Sequence, residues 1–308
     1  MRGNDAVPIR VRNLKKSFGK TQALKGISFE ARRGEIYGLL GHNGAGKTTT
    51  FHILLGFYSP TSGEAEMMGC PPGSREVLSH LGFLPEVFFT YDFLTVEETL
   101  QFYSRFYPDT EKARGKKIEE LMHILGLEEH SQKRVGQLSK GLLRRLGVAH
   151  TLLNDPQILI LDEPTWGLDP AGAKRVKDLL KKMKEEGKTI LLSSHLLTEV
   201  ELLCDRIGIL RNGEMVMEGK MDDLLRVGEN CRILFRGGTA ETHQRLSSYL
   251  LQITFQESEQ AYSALLSEEN QKSVISLLLK DETAQILSIN PEKTTLEEIF
   301  VKTVEGML

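Results

Sequence analysis

Cysteine is scarce in this 308-residue chain: Cys70, Cys204 and Cys231 lie far apart and none forms a C-x-x-C pair. That excludes a disulfide framework and a thiolate metal cluster, and leaves buried free thiols in a reducing compartment as the expectation. Long apolar runs are lacking too. The longest stretch without Asp, Glu, Lys or Arg, Thr48–Gly63, is broken by Thr, Ser, Pro and Gly, whereas a membrane helix needs about 20 apolar residues. The opening MRGNDAVPIRVRNL has no apolar h-region, so neither a signal peptide nor a membrane span is expected. An excess of charge is also missing. Lys and Arg total 39 against 42 Asp and Glu, a net charge of −3, so no nucleic acid is expected as a partner. Low-complexity segments and internal repeats are absent. What remains is 40% hydrophobic and 26% charged, a globular composition at a length that corresponds to about two domains.

Charge divides the chain unevenly. Residues 231–308 hold 7 basic and 11 acidic side chains, which places a first domain over 1–225 and a second over 226–308, with Arg226–Asn230 as the join. In the first, Ile9/Val11 and Ile27/Phe29/Ala31 alternate with charged or polar residues and read as strands. Ile36–Leu40 is a short apolar strand, Ile158–Leu161 is apolar throughout, and Thr189–Leu192 reads as another buried strand, the pattern of strands buried on both faces of a parallel sheet. Helical spacing marks Thr95–Tyr107, where Thr95 and Glu98 have capping-box spacing, as well as Ile118–Leu125 and 173–186, which Gly187 ends. Asn212-Gly213 between Ile207/Ile209 and Met215/Met217 signals a hairpin. The sum is an α/β fold with a helical insert over about 87–155. In the second domain the pattern gives a strand at Arg232–Phe235 and helices near 240–251 and 258–267. A strand near 273–279 and a last helix opened by Thr295 and Glu298 follow.

The strongest chemical signal is Gly41-His42-Asn43-Gly44-Ala45-Gly46-Lys47-Thr48. It fits G-x-x-x-x-G-K-[ST] between an expected strand and an expected helix, the context a phosphate-binding loop requires. Its glycines let main-chain N–H groups turn inward, and the helix that follows presents its positive end to an anion. Lys47 is placed to reach β- and γ-phosphates and the Thr48 hydroxyl to bind Mg²⁺. Asp162 and Glu163 close the apolar run Ile158–Leu161 at the carboxyl edge of the sheet, where ligands bind in open α/β folds. Asp162 is placed to hold Mg²⁺, directly or through water, and Glu163 to polarise an attacking water. His195, which follows the strand Thr189–Ser194, emerges at the same edge as a candidate γ-phosphate contact.

Taken together, residues 8–222 resemble the ATP-binding subunit of an ABC transporter, with the family's motifs in the family's order. Gly41–Thr49 resembles Walker A, Leu138-Ser139-Lys140-Gly141-Leu142 the signature motif, and Ile158–Glu163 Walker B. Leu168-Asp169 resembles the D-loop and His195 the H-loop. The resemblance implies that Phe18 stacks on adenine and that Thr49 joins the phosphate loop in binding nucleotide. It also implies two subunits packed head to tail around two ATP molecules, each ATP lying between Walker A of one subunit and Ser139 and Gly141 of the other. Asp169 then lies at the shared site. Two departures stand out: Glu86 occupies the place of the Q-loop glutamine, and Lys140 and Leu142 replace Gly and Gln of the common signature. A carboxylate at position 86 can still bind Mg²⁺. The end of the chain, Thr295–Phe300, resembles the close of a small α+β extension found in bacterial exporter ATPases.

Within that resemblance the expected function is ATP hydrolysis, with ATP and Mg²⁺, in a bacterial ABC-2-like exporter. The chain would work as a homodimer on separate membrane permease subunits, peripheral to the cytoplasmic face of the membrane. Phe88, Phe89, Tyr91 and Phe93 read either as core of the helical insert or as a docking surface for that permease. Trp166, the only Trp, is expected near the ATP-closed interface. Two other readings stay open, a soluble ABC ATPase acting on ribosomes or DNA and a non-hydrolysing ATP-dependent regulator.

Overall fold

Apolar residues that alternate with charged ones lay the first two strands side by side. In β1 (Ile9–Phe18) and β2 (Thr21–Ala31), Ile9 pairs with Ala31 and Val11 with Phe29, and all four are buried. The computed structural model describes residues 7–225, 227–293 and 295–305. The next strand, β3 (Ile36–Leu40), leads into helix α1 (Lys47–Leu54). Strand β4 (Ser62–Met67) returns to pair with β1, giving an antiparallel sheet in the order β2-β1-β4. A short helix α2 (Arg75–Leu78) precedes β5 (Leu81–Leu84).

Three helices follow: α3 (Val96–Ser104), α4 (Glu111–Leu125) and α5 (Lys140–Thr151). Each has a side-chain cap that the sequence supplies. Thr95 and Glu98 form a reciprocal capping box at α3, with bonds of 3.1 and 2.8 Å. Thr110 caps α4 and Ser139 caps α5. Helix α4 is longer than its apolar spacing predicts. Only its second half buries a face, through Ile118, Leu121, Met122 and Leu125, while the first turns are polar and mostly exposed.

Strand β6 (Ile158–Asp162), helix α6 (Pro170–Glu185) and strand β7 (Thr189–Ser193) complete the parallel layer with a short helix α7 (Leu197–Leu203) and strand β8 (Arg206–Arg211). Helix α6 starts at Pro170, before the expected 173, because Asp169 caps it and Pro170 fits the first helical position, where no N–H is needed. Antiparallel β9 (Glu214–Lys220) closes the edge of the sheet. The β8–β9 turn has Asn212 and Gly213 both at positive φ, 50° and 83°, the twist a two-residue hairpin needs.

The sheet order is β5-β6-β7-β3-β8-β9, with the first five strands parallel. Every residue of β3, β6 and β7 is buried, as expected for strands covered on both faces. The consequence for function is positional. Strands β5, β6, β7 and β3 are neighbours, so their carboxyl ends deliver Pro85-Glu86, Asp162-Glu163, Ser194-His195 and the Gly41 loop to one edge.

The chain divides into two compact units. One runs to Met221 and includes the segment from Lys302, and the other is Asp222–Val301. The short helix α8 (Met221–Leu224) comes before the second unit's first strand, β10 (Val227–Arg236). The residues expected as a join thus belong largely to a strand, and Arg226 lies outside the described residues. The unit continues with α9 (Ala240–Leu246), β11 (Leu250–Gln256), β12 (Ala261–Ser267), α10 (Gln271–Lys280), β13 (Gln285–Lys293) and α11 (Leu296–Glu305), which crosses the division at its end. Its antiparallel sheet has the order β11-β12-β10-β13.

Three expectations fail here. The helix near 240–251 stops at Leu246 and gives way to β11, 258–267 holds a strand, and 273–279 is helical. Strand β12 is hydrogen-bonded on both sides, to β10 and β11, and most of it is buried on both faces, so AYSALLS shows no alternation. Helix α10 buries Val274 and Leu278 four residues apart inside VISLLL, where a single Ser among branched apolar residues mimics a strand. Of the thiols, Cys204 and Cys231 are buried. Cys70 is not: it is half-buried, with Sγ 3.3 Å from Glu76 Oε2.

Candidate functional site

The phosphate loop leaves β3 through Gly41, whose φ of +148° brings it so close to β8 that a Cβ would stand 2.5 Å from the Leu210 carbonyl. Only glycine fits there. Gly46, at φ +114°, begins α1 without any side-chain cap, so the first N–H groups of the helix are left to an anion. Lys47 Nζ donates to the Gly41 and His42 carbonyls at 2.6 and 3.2 Å, folding the side chain back along the loop. Burial pushes its ammonium pKa down, and the carboxylates of Glu163, Asp162 and Glu86 act in the opposite direction. A cavity of about 250 Å³ is lined by Asn43, Gly44, Gly46, Lys47, Thr48, Thr49 and Glu86. Ala45 packs inward and is buried. The structure therefore brings Glu86 to the phosphate loop, although 38 residues separate it from Thr48 in sequence.

At the end of β6, Asp162 is buried and accepts a hydrogen bond from the Ser193 hydroxyl of β7. Glu163 adopts φ +54°, a left-handed conformation that costs a non-glycine residue about 1–3 kcal/mol. Both sides of its Cα are tied down. Its N–H donates to the Ser193 carbonyl and hydroxyl at 3.2 and 3.1 Å, and its carbonyl accepts from Arg144. The turn directs the carboxylate at His195. Nδ1 of His195 is 2.7 Å from Glu163 Oε2, and the His195 N–H is 3.3 Å from the same oxygen. Strain at this one residue is spent on aiming one carboxylate.

The remaining expected site residues lie elsewhere in the first unit. Ser139 and Gly141 open α5 and do not line the cavity. Ser139 Oγ accepts from the Leu142 N–H at 3.2 Å. A Cβ on Gly141 would meet the Gly167 carbonyl at 3.1 Å, and Lys140 Nζ lies 5.9 Å from the centre of the Trp166 ring. The signature segment thus packs on the D-loop segment of its own chain. Asp169 is occupied as the cap of α6. Phe18 ends β1 with its ring 44% exposed, edge-on to Tyr58 at 5.3 Å, with Lys16 Nζ 4.9 Å from its centre. It does not line the cavity either.

Three residues escaped the sequence reading. Tyr58 could have been suspected from the adjacent aromatics Phe57-Tyr58. Ser193 lies next to the Ser-His pair at the end of β7. Arg144 follows the signature in LLRR, where a buried arginine is indistinguishable from a solvated one.

Comparison with known proteins identifies the family and the fold. The ABC transporter family model matches residues 24–166. An ABC transporter ATP-binding protein of Synechocystis is 35% identical over 285 residues, covering 92% of this chain and 78% of that protein. The linearmycin resistance ATP-binding protein LnrL of Bacillus subtilis is 33% identical over 303 residues, 95% and 97% of the two chains. Among solved structures, a dimeric ATP-binding cassette in a post-hydrolysis state with ADP and Pi superposes with a TM-score of 0.63 at 28% identity, over 69% of this chain and 98% of that one. The chain belongs to the ABC transporter ATP-binding proteins. It is a nucleotide-binding ATPase built on the α/β cassette fold.

Proposed function

We propose that this chain is the ATP-hydrolysing subunit of an exporter, closing as a dimer around two ATP·Mg²⁺ and driving separate membrane permease subunits from the cytoplasmic face. The observation that carries the hydrolytic reading is the Glu163–His195 contact at 2.7 Å beside Asp162 and the Lys47 loop. With Oε2 engaged by His195, Glu163 Oε1 is left to take a proton from water. That water attacks the γ-phosphorus, the bond from phosphorus to the β–γ bridging oxygen breaks, and ADP and phosphate leave. Lys47 and the α1 N-terminus hold the phosphates, Phe18 stacks on the base, and His195 keeps Glu163 aligned while facing the γ-phosphate.

Thr48, Asp162 and Glu86 are oxygen donors of the hard kind that Mg²⁺ takes. Among the described residues no cluster of three or more His, Cys, Asp or Glu could hold a metal by itself. The donor set therefore fits an ion that arrives with its nucleotide, whose phosphates and waters complete the coordination. Bound there, Mg²⁺ supplies charge neutralisation at the phosphates.

The dimeric part of the proposal rests on Ser139 and Gly141, which do not line the chain's own phosphate cavity and, with Ser139 exposed at the start of α5, would serve a second copy's ATP. Asp169 opens the helix next to them. Transport is supported by the resistance function in the name of the B. subtilis relative. It is supported too by a run of exposed rings on the helical insert, Phe89 at 82%, Phe93 at 68% and Phe106 at 71%, the kind of surface a permease covers. Phe88, by contrast, is core. No helix among the described residues is long and apolar enough to cross a membrane, so on this proposal the pathway belongs to a partner.

Light scattering on the Glu163→Gln variant tests the dimer. With ATP·Mg²⁺ we expect twice the monomer mass and a change in emission of Trp166, which is 46% exposed beside the signature. With ADP we expect the monomer. A monomer with both nucleotides and an unchanged Trp166 would contradict the proposal.

A further inference from the structure

At the ends of β5 and β6 the backbone passes through Pro85-Glu86 and Asp162-Glu163, where four carbonyls are buried or partly buried and need donors. One side chain supplies all four. Arg144, in the second turn of α5 and only 5% exposed, donates from Nη1 to the Pro85 and Glu86 carbonyls at 2.6 and 3.0 Å. From Nε and Nη2 it donates to the Glu163 carbonyl at 3.1 and 2.7 Å, and from Nη2 to the Asp162 carbonyl as well.

We infer that Arg144 is a positioning residue for hydrolysis, its guanidinium fixing the backbone on which Glu163 and Glu86 face the nucleotide. Three features of the site carry this. The acceptors are the main-chain carbonyls of Pro85 and of the three acidic residues assigned to the site, Glu86, Asp162 and Glu163. Glu163 is in a strained left-handed conformation, and Arg144 and Ser193 hold the peptide groups on either side of it. A planar guanidinium reaches four separate carbonyls at once, which an ammonium on a single point cannot do.

Charge points the same way. Asp162, Glu163 and Glu86 place three carboxylates at this edge, and the Arg144 cation lies close enough to each for it to act on its ionisation. Burial lowers the guanidinium pKa to about 10, which leaves it charged at neutral pH. The cation thus offsets negative charge at the edge that must accept a polyphosphate.

This inference rests on the reading of Glu163 as the base, and the test separates the two. ATP turnover and ADP binding by calorimetry are measured on the full chain for wild type, Arg144→Lys, Arg144→Gln and Glu163→Gln. Arg144→Lys keeps the charge and loses the fork. We expect its kcat to fall about 10- to 100-fold, with the KM for ATP and the Kd for ADP within threefold of wild type, and a larger fall in kcat for Arg144→Gln. A kcat for Arg144→Lys within twofold of wild type, while Glu163→Gln is inactive, overturns this inference alone. Equal losses in kcat and ADP binding, or failure of both Arg144 variants to fold, make Arg144 a structural fastener and also overturn it. Full activity of Glu163→Gln removes the base assignment and the inference with it.

Discussion

Replacing Glu163 by Gln lowers kcat about 10²- to 10³-fold, while ATP binding stays within a few-fold of wild type. The range follows from what a positioned general base contributes. The substitution is isosteric, and the backbone ties from Ser193 and Arg144 do not involve the side chain. The amide can still take the hydrogen bond from His195 through its oxygen, so the 2.7 Å contact survives in form. On the proposed reading, what disappears is the ability to accept a proton from water. Nothing in the Lys47 loop changes, which is why affinity is kept. Steady-state turnover together with equilibrium ATP binding checks this. Turnover within twofold of wild type removes Glu163 from the role of base.

Lys47→Ala acts on the other quantity. The ammonium spans the loop to the Gly41 and His42 carbonyls, and on the proposed reading it exchanges those acceptors for phosphate oxygens. Hydrogen bonds to charged groups contribute about 1.5–3 kcal/mol each, so we expect ATP affinity to fall about 10- to 100-fold and turnover to become undetectable at ordinary nucleotide concentrations. Alanine also leaves the two carbonyls without that donor, which loosens the loop and adds to the loss. Calorimetric titration with ATP·Mg²⁺ measures the change. An unaltered Kd would mean that the loop binds phosphate through main-chain N–H groups alone. The two substitutions are thus separable, one blocking hydrolysis with binding kept and the other blocking binding first.

The legible part of this protein is the part where chemistry is written in contiguous residues. Gly41–Thr48 states its own conformation, because glycines at forced positive φ and a lysine at the helix start permit little else. The carboxyl ends of β6 and β7 could be brought together from sequence, because buried parallel strands put Asp162, Glu163 and His195 on one edge. The contact itself could not. It depends on the positive φ of Glu163, which no residue preference predicts. Arg144 was hidden for a related reason, since its five bonds go to carbonyls, and carbonyls carry no sequence identity.

In the second unit the signal inverted. A strand paired on both sides and buried on both faces loses alternation, and a short helix rich in Leu and Ile loses its polar face, so β12 and α10 exchanged appearances. Tertiary pairing decided both. Helix α11 was readable because Thr295 accepts from the Glu298 N–H at 3.3 Å, a local cap independent of packing.

On the proposed reading this ATPase serves a separate membrane permease, and purification from native membranes shows whether it does. The tagged chain is expressed in its own host, membranes are gently solubilised, and whatever co-purifies is identified and quantified by mass spectrometry. The account predicts a polytopic membrane protein at near-equal stoichiometry with the ATPase. Ribosomes, DNA or soluble partners without any such protein would contradict it.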